Sequence, residues 1–83
     1  MSTVRHIHVQ YFALLREQAG RSEEDLQTAA ATPLALYDEL RGRHPFSLPA
    51  PALKVAINDD FAGWDQPLRA GDRVVFIPPV AGG

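Results

Sequence analysis

The chain has 83 residues, 46% of them hydrophobic and 22% charged, and it contains no cysteine. A chain of this length has room for one small core, and without cysteine it can form no disulfide, Cys-based zinc site or thiol nucleophile. Its net charge of −2 argues against the clustered positive surface that nucleic-acid binding requires. No apolar run approaches the ~20 residues of a membrane span, and no signal peptide begins the sequence. We therefore expect a cytoplasmic protein that binds neither nucleic acid nor membranes.

The first part of the chain predicts a strand, a short helix and an edge strand. Apolar and polar residues alternate over residues 4–12, as in a strand with one buried face. Residues 13–19 are rich in helix formers and end at Gly20, which can adopt the left-handed conformation that closes a helix. Residues 21–28 are polar apart from one leucine, which indicates an exposed or edge strand.

A longer helix is predicted to begin at Thr32 and Pro33. The threonine oxygen can cap the helix, and proline is tolerated in the first turn because its missing N–H would be unpaired there. Gly42 and Pro45 stop the helix. One face of the helix is apolar, and it carries Leu36, Tyr37 and Leu40.

The second part of the chain predicts an irregular connection followed by short strands. We expect an irregular segment at residues 45–52, a strand at 53–57 and a turn at 58–60. A short strand or turn at 61–64, a turn cluster at 67–72 and a final strand at 73–77 follow. The last strand is the most hydrophobic and is predicted to lie centrally in the sheet. The element order predicts an α+β roll, a mixed sheet curled over one main helix, formed by residues 1–77 and followed by a tail at 78–83.

The tail has an unusual composition. Pro78 and Pro79 cannot donate to a sheet ladder, so the chain is expected to leave the sheet near Ile77. The side chains then become smaller, through Val80 and Ala81 to Gly82 and Gly83. Six extended residues reach about 20 Å. This shape predicts a tail that threads a narrow channel and presents a terminal carboxylate inside another protein, although two final glycines alone are a weak signal because chain ends are often disordered.

Four segments together resemble the MoaD/ThiS ubiquitin-like family, and in particular the small, sulfur-carrier subunits of molybdopterin synthase. They are residues 9–17 (VQYFALLRE), 55–58 (VAIN), 67–74 (PLRAGDRV) and 76–83 (FIPPVAGG). The resemblance covers nearly the whole chain after residue 8, and the final segment is its most specific part. It implies the β-grasp (ubiquitin-like) fold.

The resemblance also implies a chemistry for the tail. An E1-like adenylyltransferase would use ATP to adenylate Gly83, and a sulfur donor protein would convert the adenylate to a thiocarboxylate. The large synthase subunit would then receive the tail and pass the sulfur to cyclic pyranopterin monophosphate, in molybdenum cofactor biosynthesis. On this interpretation the chain is a sulfur-donating subunit of a sulfurtransferase complex and not an enzyme on its own. It binds no cofactor itself. At Gly82, a Cβ atom would clash with the walls of the partner channels that receive the tail.

The resemblance further implies the surfaces that contact the partners. The expected docking face consists of Phe12, Phe61 and Ile77. The tail residues 78–81 (PPVA) are expected to contact the partner inside its channel. Arg16 is expected to contact the activating enzyme. For a single large apolar residue, burial in the core is the more common fate, and Phe61 is the best candidate for exposure because it directly follows a polar turn.

Other interpretations remain open at the level of the sequence. Thiamin or tRNA thiolation and ubiquitin-like protein modification use the same kind of tail, and an adaptor domain would carry an inert one. His6 and His8 lie two residues apart on one strand face, which can start a metal site. No third ligand is apparent in the sequence, so no metal site is predicted.

Overall fold

The computed structural model describes residues 4–79. The described chain forms five strands, two α-helices and a 3₁₀ turn. In chain order these are β1 (Arg5–Tyr11), α1 (Ala13–Ala19), β2 (Glu23–Thr28), α2 (Pro33–Arg41), the 3₁₀ turn (Ala50–Ala52), β3 (Lys54–Ile57), β4 (Asp60–Ala62) and β5 (Arg73–Ile77). Within residues 4–79, no helix is long and apolar enough to cross a membrane.

The five strands form one mixed sheet in the order β2-β1-β5-β3-β4. β1 and β5 run parallel, and the other neighbouring pairs are antiparallel. The hydrophobic final strand is central and the polar β2 lies at an edge, as the sequence predicts. This arrangement is the predicted β-grasp roll, and it brings the end of β1 beside the end of β5, where Tyr11 is paired with Phe76.

The core lies between one face of the sheet and α2. The helix begins as predicted, because the Thr32 side chain accepts a hydrogen bond from the Ala35 N–H at 3.2 Å and Pro33 occupies the first turn. Its apolar face is completely buried, and the Tyr37 ring lies 5.1 Å from that of Phe76. The fully buried residues of the helix and the sheet include Leu36, Tyr37, Leu40, Ile7, Val9, Val74 and Phe76.

Two turns have the left-handed backbone that their residue types favour. Gly20 ends α1 with φ of 76°, in agreement with the predicted stop. Asn58 and Asp59 connect β3 to β4 with φ of 52° and 74°, as a two-residue hairpin turn of type I′ requires. The proline-rich connection differs slightly from the prediction, because Ala50–Ala52 forms a 3₁₀ turn.

Candidate functional site

The sheet releases the chain at Ile77, where β5 ends. Two prolines follow, and neither can donate a backbone hydrogen bond to a neighbouring strand. Pro78 is buried and Pro79 is exposed, so the first holds the end of the chain against the body and the second faces solvent. The predicted tail residues 80–83 lie outside the described residues, and their roles stay predictions.

The three aromatic and aliphatic residues predicted to form the docking face have different exposures. Phe61 is 75% exposed and Phe12 is 48% exposed, whereas Ile77 is half-buried. Exposed apolar side chains mark an interaction site where they form one contiguous patch. The expectation that Phe61 faces solvent is confirmed.

Strand register places Phe61 and Ile77 on the same side of the sheet. We call this side, which faces away from α2, the outer face. Ala56 pairs with Phe61 on β4 and with Val75 on β5, while Lys54 pairs with Ile77. Side chains alternate along each strand, so all five residues belong to the outer face. The Lys54 ammonium lies 5.9 Å from the centre of the Phe61 ring, and it adds a positive charge beside the apolar surface.

Phe12 is presented by a strained backbone position. The residue that follows it, Ala13, has φ of 52°, a left-handed conformation that costs a non-glycine residue about 1–2 kcal/mol. Phe12 itself has extended dihedrals at the N-terminus of α1 and makes no side-chain cap. The strand therefore ends abruptly, and the phenyl ring remains half-exposed beside the tail.

A groove lies where Phe12 and Ile77 meet the base of the tail. Its walls also include Leu14 from α1 and Leu48 from the loop before β3, two residues that the sequence did not single out. Phe61 lines a separate, more polar hollow beside the β3–β4 turn. The predicted docking residues are thus distributed between two concavities. Arg16 is exposed on α1, where a partner can reach it.

The two strand histidines are hydrogen-bonded to carboxylates of β2. His8 Nδ1 lies 2.8 Å from Asp25 Oδ1, and His6 Nε2 lies 3.3 Å from the same oxygen. His8 Nε2 also lies 3.2 Å from Glu23 Oε1. Hydrogen bonds from His8 and then His6 lower the pKa of the Asp25 carboxyl. Among residues 4–79, no group of three or more His, Cys, Asp or Glu residues has the arrangement of a metal site.

Two acidic residues of the turns, Asp59 and Asp72, make structural contacts. The Asp72 carboxylate is almost fully buried and accepts hydrogen bonds from the Arg69 backbone N–H at 2.8 Å and from the Asn58 amide at 2.9 Å. Asp59 forms an ion pair with Arg73. These contacts join the β3–β4 turn to the start of β5, and they agree with the turn clusters predicted at residues 58–60 and 67–72.

A buried polar cluster supports the end of β1. The Tyr11 hydroxyl donates to Glu24 Oε2 at 2.5 Å, and His44 Nε2 lies 2.8 Å from the same oxygen. Burial and the bond to Glu24 raise the pKa of Tyr11. Burial alone would raise the pKa of Glu24, but the hydrogen bonds from Tyr11 and His44 outweigh it and lower that pKa. The cluster connects β1, β2 and the segment after α2. Its β1 member, Tyr11, directly precedes Phe12 in the sequence.

The lowered pKa of Glu24 predicts a loss of stability in acid. Because the folded-state pKa lies below the ordinary value of 4.5, the stabilisation is fully present above that value and is lost as the pH falls through the folded-state pKa. We expect Glu24→Gln to lower the free energy of unfolding at pH 7 and to flatten its decline below about pH 4.5. Urea denaturation at several pH values measures both effects. The matched control is Glu17→Gln, at an exposed position; an equal change in both variants would contradict the assignment to the cluster.

Comparison with known proteins gives one family and several close relatives. The model of the ThiS family matches residues 9–83. The molybdopterin synthase sulfur carrier subunit of Escherichia coli (strain K12) is 34% identical over 80 residues, which cover 93% of this chain and 99% of the relative. The subunit of the same name from Haemophilus influenzae is 31% identical with the same coverage.

A solved structure has the same fold. The crystal structure of small archaeal modifier protein 1 from Haloferax volcanii superimposes with a TM-score of 0.75 at 26% sequence identity. The match covers 92% of this chain and 99% of that protein. The fold described above is therefore shared by a protein whose name indicates a protein modifier.

Proposed function

Because the chain belongs to the ThiS family, we propose that it is the sulfur-carrier subunit of a molybdopterin synthase and that Gly83 carries the sulfur as a thiocarboxylate. The observation that carries this proposal is the match to two curated sulfur carrier subunits over almost their entire length. The family match also extends through Gly83. The end of β5 at Ile77 supports the proposal, because Pro78 and Pro79 follow outside the strand and neither can donate to a sheet ladder.

The proposed chemistry takes place on the main chain. A terminal carboxyl group has a pKa of about 3.3–3.7 and is ionised at neutral pH, so it is a poor electrophile. An E1-like partner joins this carboxylate to the α-phosphate of ATP and releases pyrophosphate. The terminal sulfur of a donor persulfide then displaces AMP from the acyl carbon, and a thiol reductant cleaves the remaining S–S bond. The product is a thiocarboxylate on Gly83, and no side-chain thiol of this chain is needed.

The partners must hold the body of the domain while the tail reacts. Phe12 and the half-buried Ile77 provide apolar surface at the base of the tail, and Phe61 adds an exposed ring on β4. Aromatic residues that stay exposed in the free domain are typical anchors of an interface. The proposed partners are the large synthase subunit, the E1-like enzyme and the sulfur donor protein, and the two partners that receive the tail use this surface in turn. ATP is bound by the activating partner.

A second function is favoured by one comparison. The structural similarity to small archaeal modifier protein 1 supports a role as a ubiquitin-like modifier, in which the activated glycine is transferred to a lysine amine and forms an isopeptide bond. Activation of the tail is common to both functions. They differ in the final acceptor, which is a pterin in one case and a protein lysine in the other.

Sulfur loading tests the proposal directly. The full chain is incubated with its E1-like enzyme, ATP and a persulfide donor, and the C-terminal peptide is analysed by mass spectrometry. We expect the mass increase that results from replacing one oxygen by sulfur, localised on Gly83 and absent without ATP. Addition of the large subunit and cyclic pyranopterin monophosphate should restore the original mass. A chain that gains no sulfur and instead forms lysine conjugates would support the modifier function over the sulfur carrier.

A further inference from the structure

An apolar groove lies at the base of the tail, between α1 and the loop that precedes β3. We call it the tail-root groove. It has a volume of about 620 Å³ and is open to solvent. Its apolar lining consists mainly of Phe12, Leu14, Leu48, Ile77, Pro78 and Pro79. It is therefore distinct from the hollow beside Phe61, which has a polar lining and lies at the β3–β4 turn.

The walls of the tail-root groove are held in place by hydrogen bonds behind them. The Gln18 side chain donates to Ser47 Oγ at 2.9 Å and accepts from the Ser47 N–H at 3.2 Å, which joins α1 to the loop. The Leu48 carbonyl accepts from the buried Tyr37 hydroxyl at 2.6 Å. The groove is thus formed before any partner arrives, as ligand-binding concavities usually are.

The position of the groove limits what can cover it. On the proposed function, the reacting carboxyl is on Gly83, four residues beyond Pro79. Four extended residues span at most about 14 Å. A protein whose active site receives Gly83 must therefore bring its channel mouth within that distance of Pro79, and Pro79 itself lines the tail-root groove.

The lining defines the chemistry of the occupant. Leu14 is 38% exposed on α1, where solvation of an apolar side chain is unfavourable. Glu17, one helical turn further along α1, is the one charged residue among the described lining residues. An aliphatic or aromatic side chain beside a lysine or arginine is complementary to this arrangement, because the apolar group enters the groove and the cation faces Glu17.

We propose that the tail-root groove is a docking pocket for an apolar side chain, flanked by a basic residue, at the channel mouth of the large synthase subunit. This inference rests on the proposed function and deepens it. It assigns Leu14, Leu48 and Glu17 to the interface, in addition to the residues at the ends of β1 and β5. It also explains why a leucine is exposed on the first turn of a short helix.

The test compares two leucines in equivalent helical positions. Leu14 is the second residue of α1 and Leu34 is the second residue of α2, and they are 38% and 44% exposed. Binding of the full chain to the purified large subunit of the same organism is measured by calorimetry. We expect Leu14→Glu to weaken binding about tenfold or more and Leu34→Glu to leave it within about twofold of the unchanged chain. Thermal melts confirm that both variants fold.

The charge of the groove is tested separately. We expect Glu17→Lys to weaken binding to the large subunit at low salt and the difference to shrink as salt is added, because the attraction is screened. Together with the leucine pair, this result identifies both the apolar and the basic part of the occupant. Weaker binding that is independent of salt would contradict the assigned basic residue.

Other occupants give different results. Unchanged binding by a folded Leu14→Glu variant, or equal losses in both leucine variants, would overturn the proposal. So would a self-dimer of the free chain that Leu14→Glu dissociates, because a second copy would then fill the groove. Sulfur loading separates the two proposals: if the unchanged chain takes up sulfur on Gly83 but Leu14→Glu binds the large subunit normally, the groove inference is wrong and the proposed function stands. Failure of the unchanged chain to take up sulfur would overturn the proposed function itself.

Discussion

Deletion of Gly83 is expected to abolish thiocarboxylate formation and to leave the fold unchanged. The shortened chain still ends in a carboxylate, but that group lies about 3.3–3.6 Å further from the active site of the activating enzyme. A displacement of about 1 Å can already reduce a reaction about 100-fold. The fold should not respond, because β5 ends at Ile77 and no described residue of the core follows Pro78. Mass spectrometry measures sulfur loading, and circular dichroism measures the thermal melt.

Two control variants show whether the loss of sulfur loading results from the shorter tail. Gly83→Ala keeps the length of the tail and adds only a methyl group, so it should take up sulfur more slowly than the unchanged chain but to a measurable extent. Gly82→Ala tests the width of the channel at the preceding residue. If the chain without Gly83 gains sulfur as fast as the unchanged chain, the carrier is another group and the assignment to the terminal glycine is wrong.

Local physical chemistry made much of the fold predictable. The start of α2 follows from the Thr32 side-chain cap and from proline's tolerance of the first turn, and neither depends on the rest of the molecule. The end of α1 follows from Gly20, and the end of β5 follows from two prolines. The central position of β5 followed from its hydrophobicity, because a strand that is buried on both faces consists mainly of apolar residues, and Val75 is buried on the outer face as well.

The polar contacts could not be predicted, because strand register creates them. Tyr11, Glu24 and His44 are 13 and 20 residues apart, and only the antiparallel pairing of β1 with β2 brings the first two together. The same pairing places Asp25 beside His6 and His8, where the sequence showed two histidines without a further ligand. A shift of β2 by one residue would move the Glu24 and Asp25 side chains to the opposite faces of the sheet.

The tail-root groove was missed for a related reason. Leu14 is one of several apolar residues in a short helical segment, and the sequence does not show which of them faces away from the core. In the structure Leu15 is fully buried while Leu14 is not. Leu48 comes from a proline-rich connection whose path depends on the hydrogen bonds of Tyr37 and Gln18. The predicted residues Phe12 and Ile77 lie at one end of the groove. Its opposite wall could be identified only from the tertiary structure.

Phe76→Ala should lower the stability of the fold, whereas Phe61→Ala should lower the affinity for the partner, although both variants remove a phenylalanine side chain. Phe76 is completely buried on β5, with its ring 5.1 Å from that of Tyr37 and 5.8 Å from that of Trp64. Such a truncation costs about 3–5 kcal/mol, against a total stability of about 4–12 kcal/mol for a chain of this size. Phe76→Ala should therefore lose about a quarter or more of the free energy of unfolding, which urea denaturation measures.

Phe61→Ala, at a position that is 75% exposed, should change the free energy of unfolding by no more than about 0.5 kcal/mol. Its effect should appear in binding, because the docking face loses its most exposed aromatic ring, and calorimetry with the large subunit measures that loss. Equal destabilisation by the two variants would mean that the outer face supports the fold. Normal binding by Phe61→Ala would remove that ring from the docking face and leave the tail-root groove as the contact that holds the body while the tail reacts.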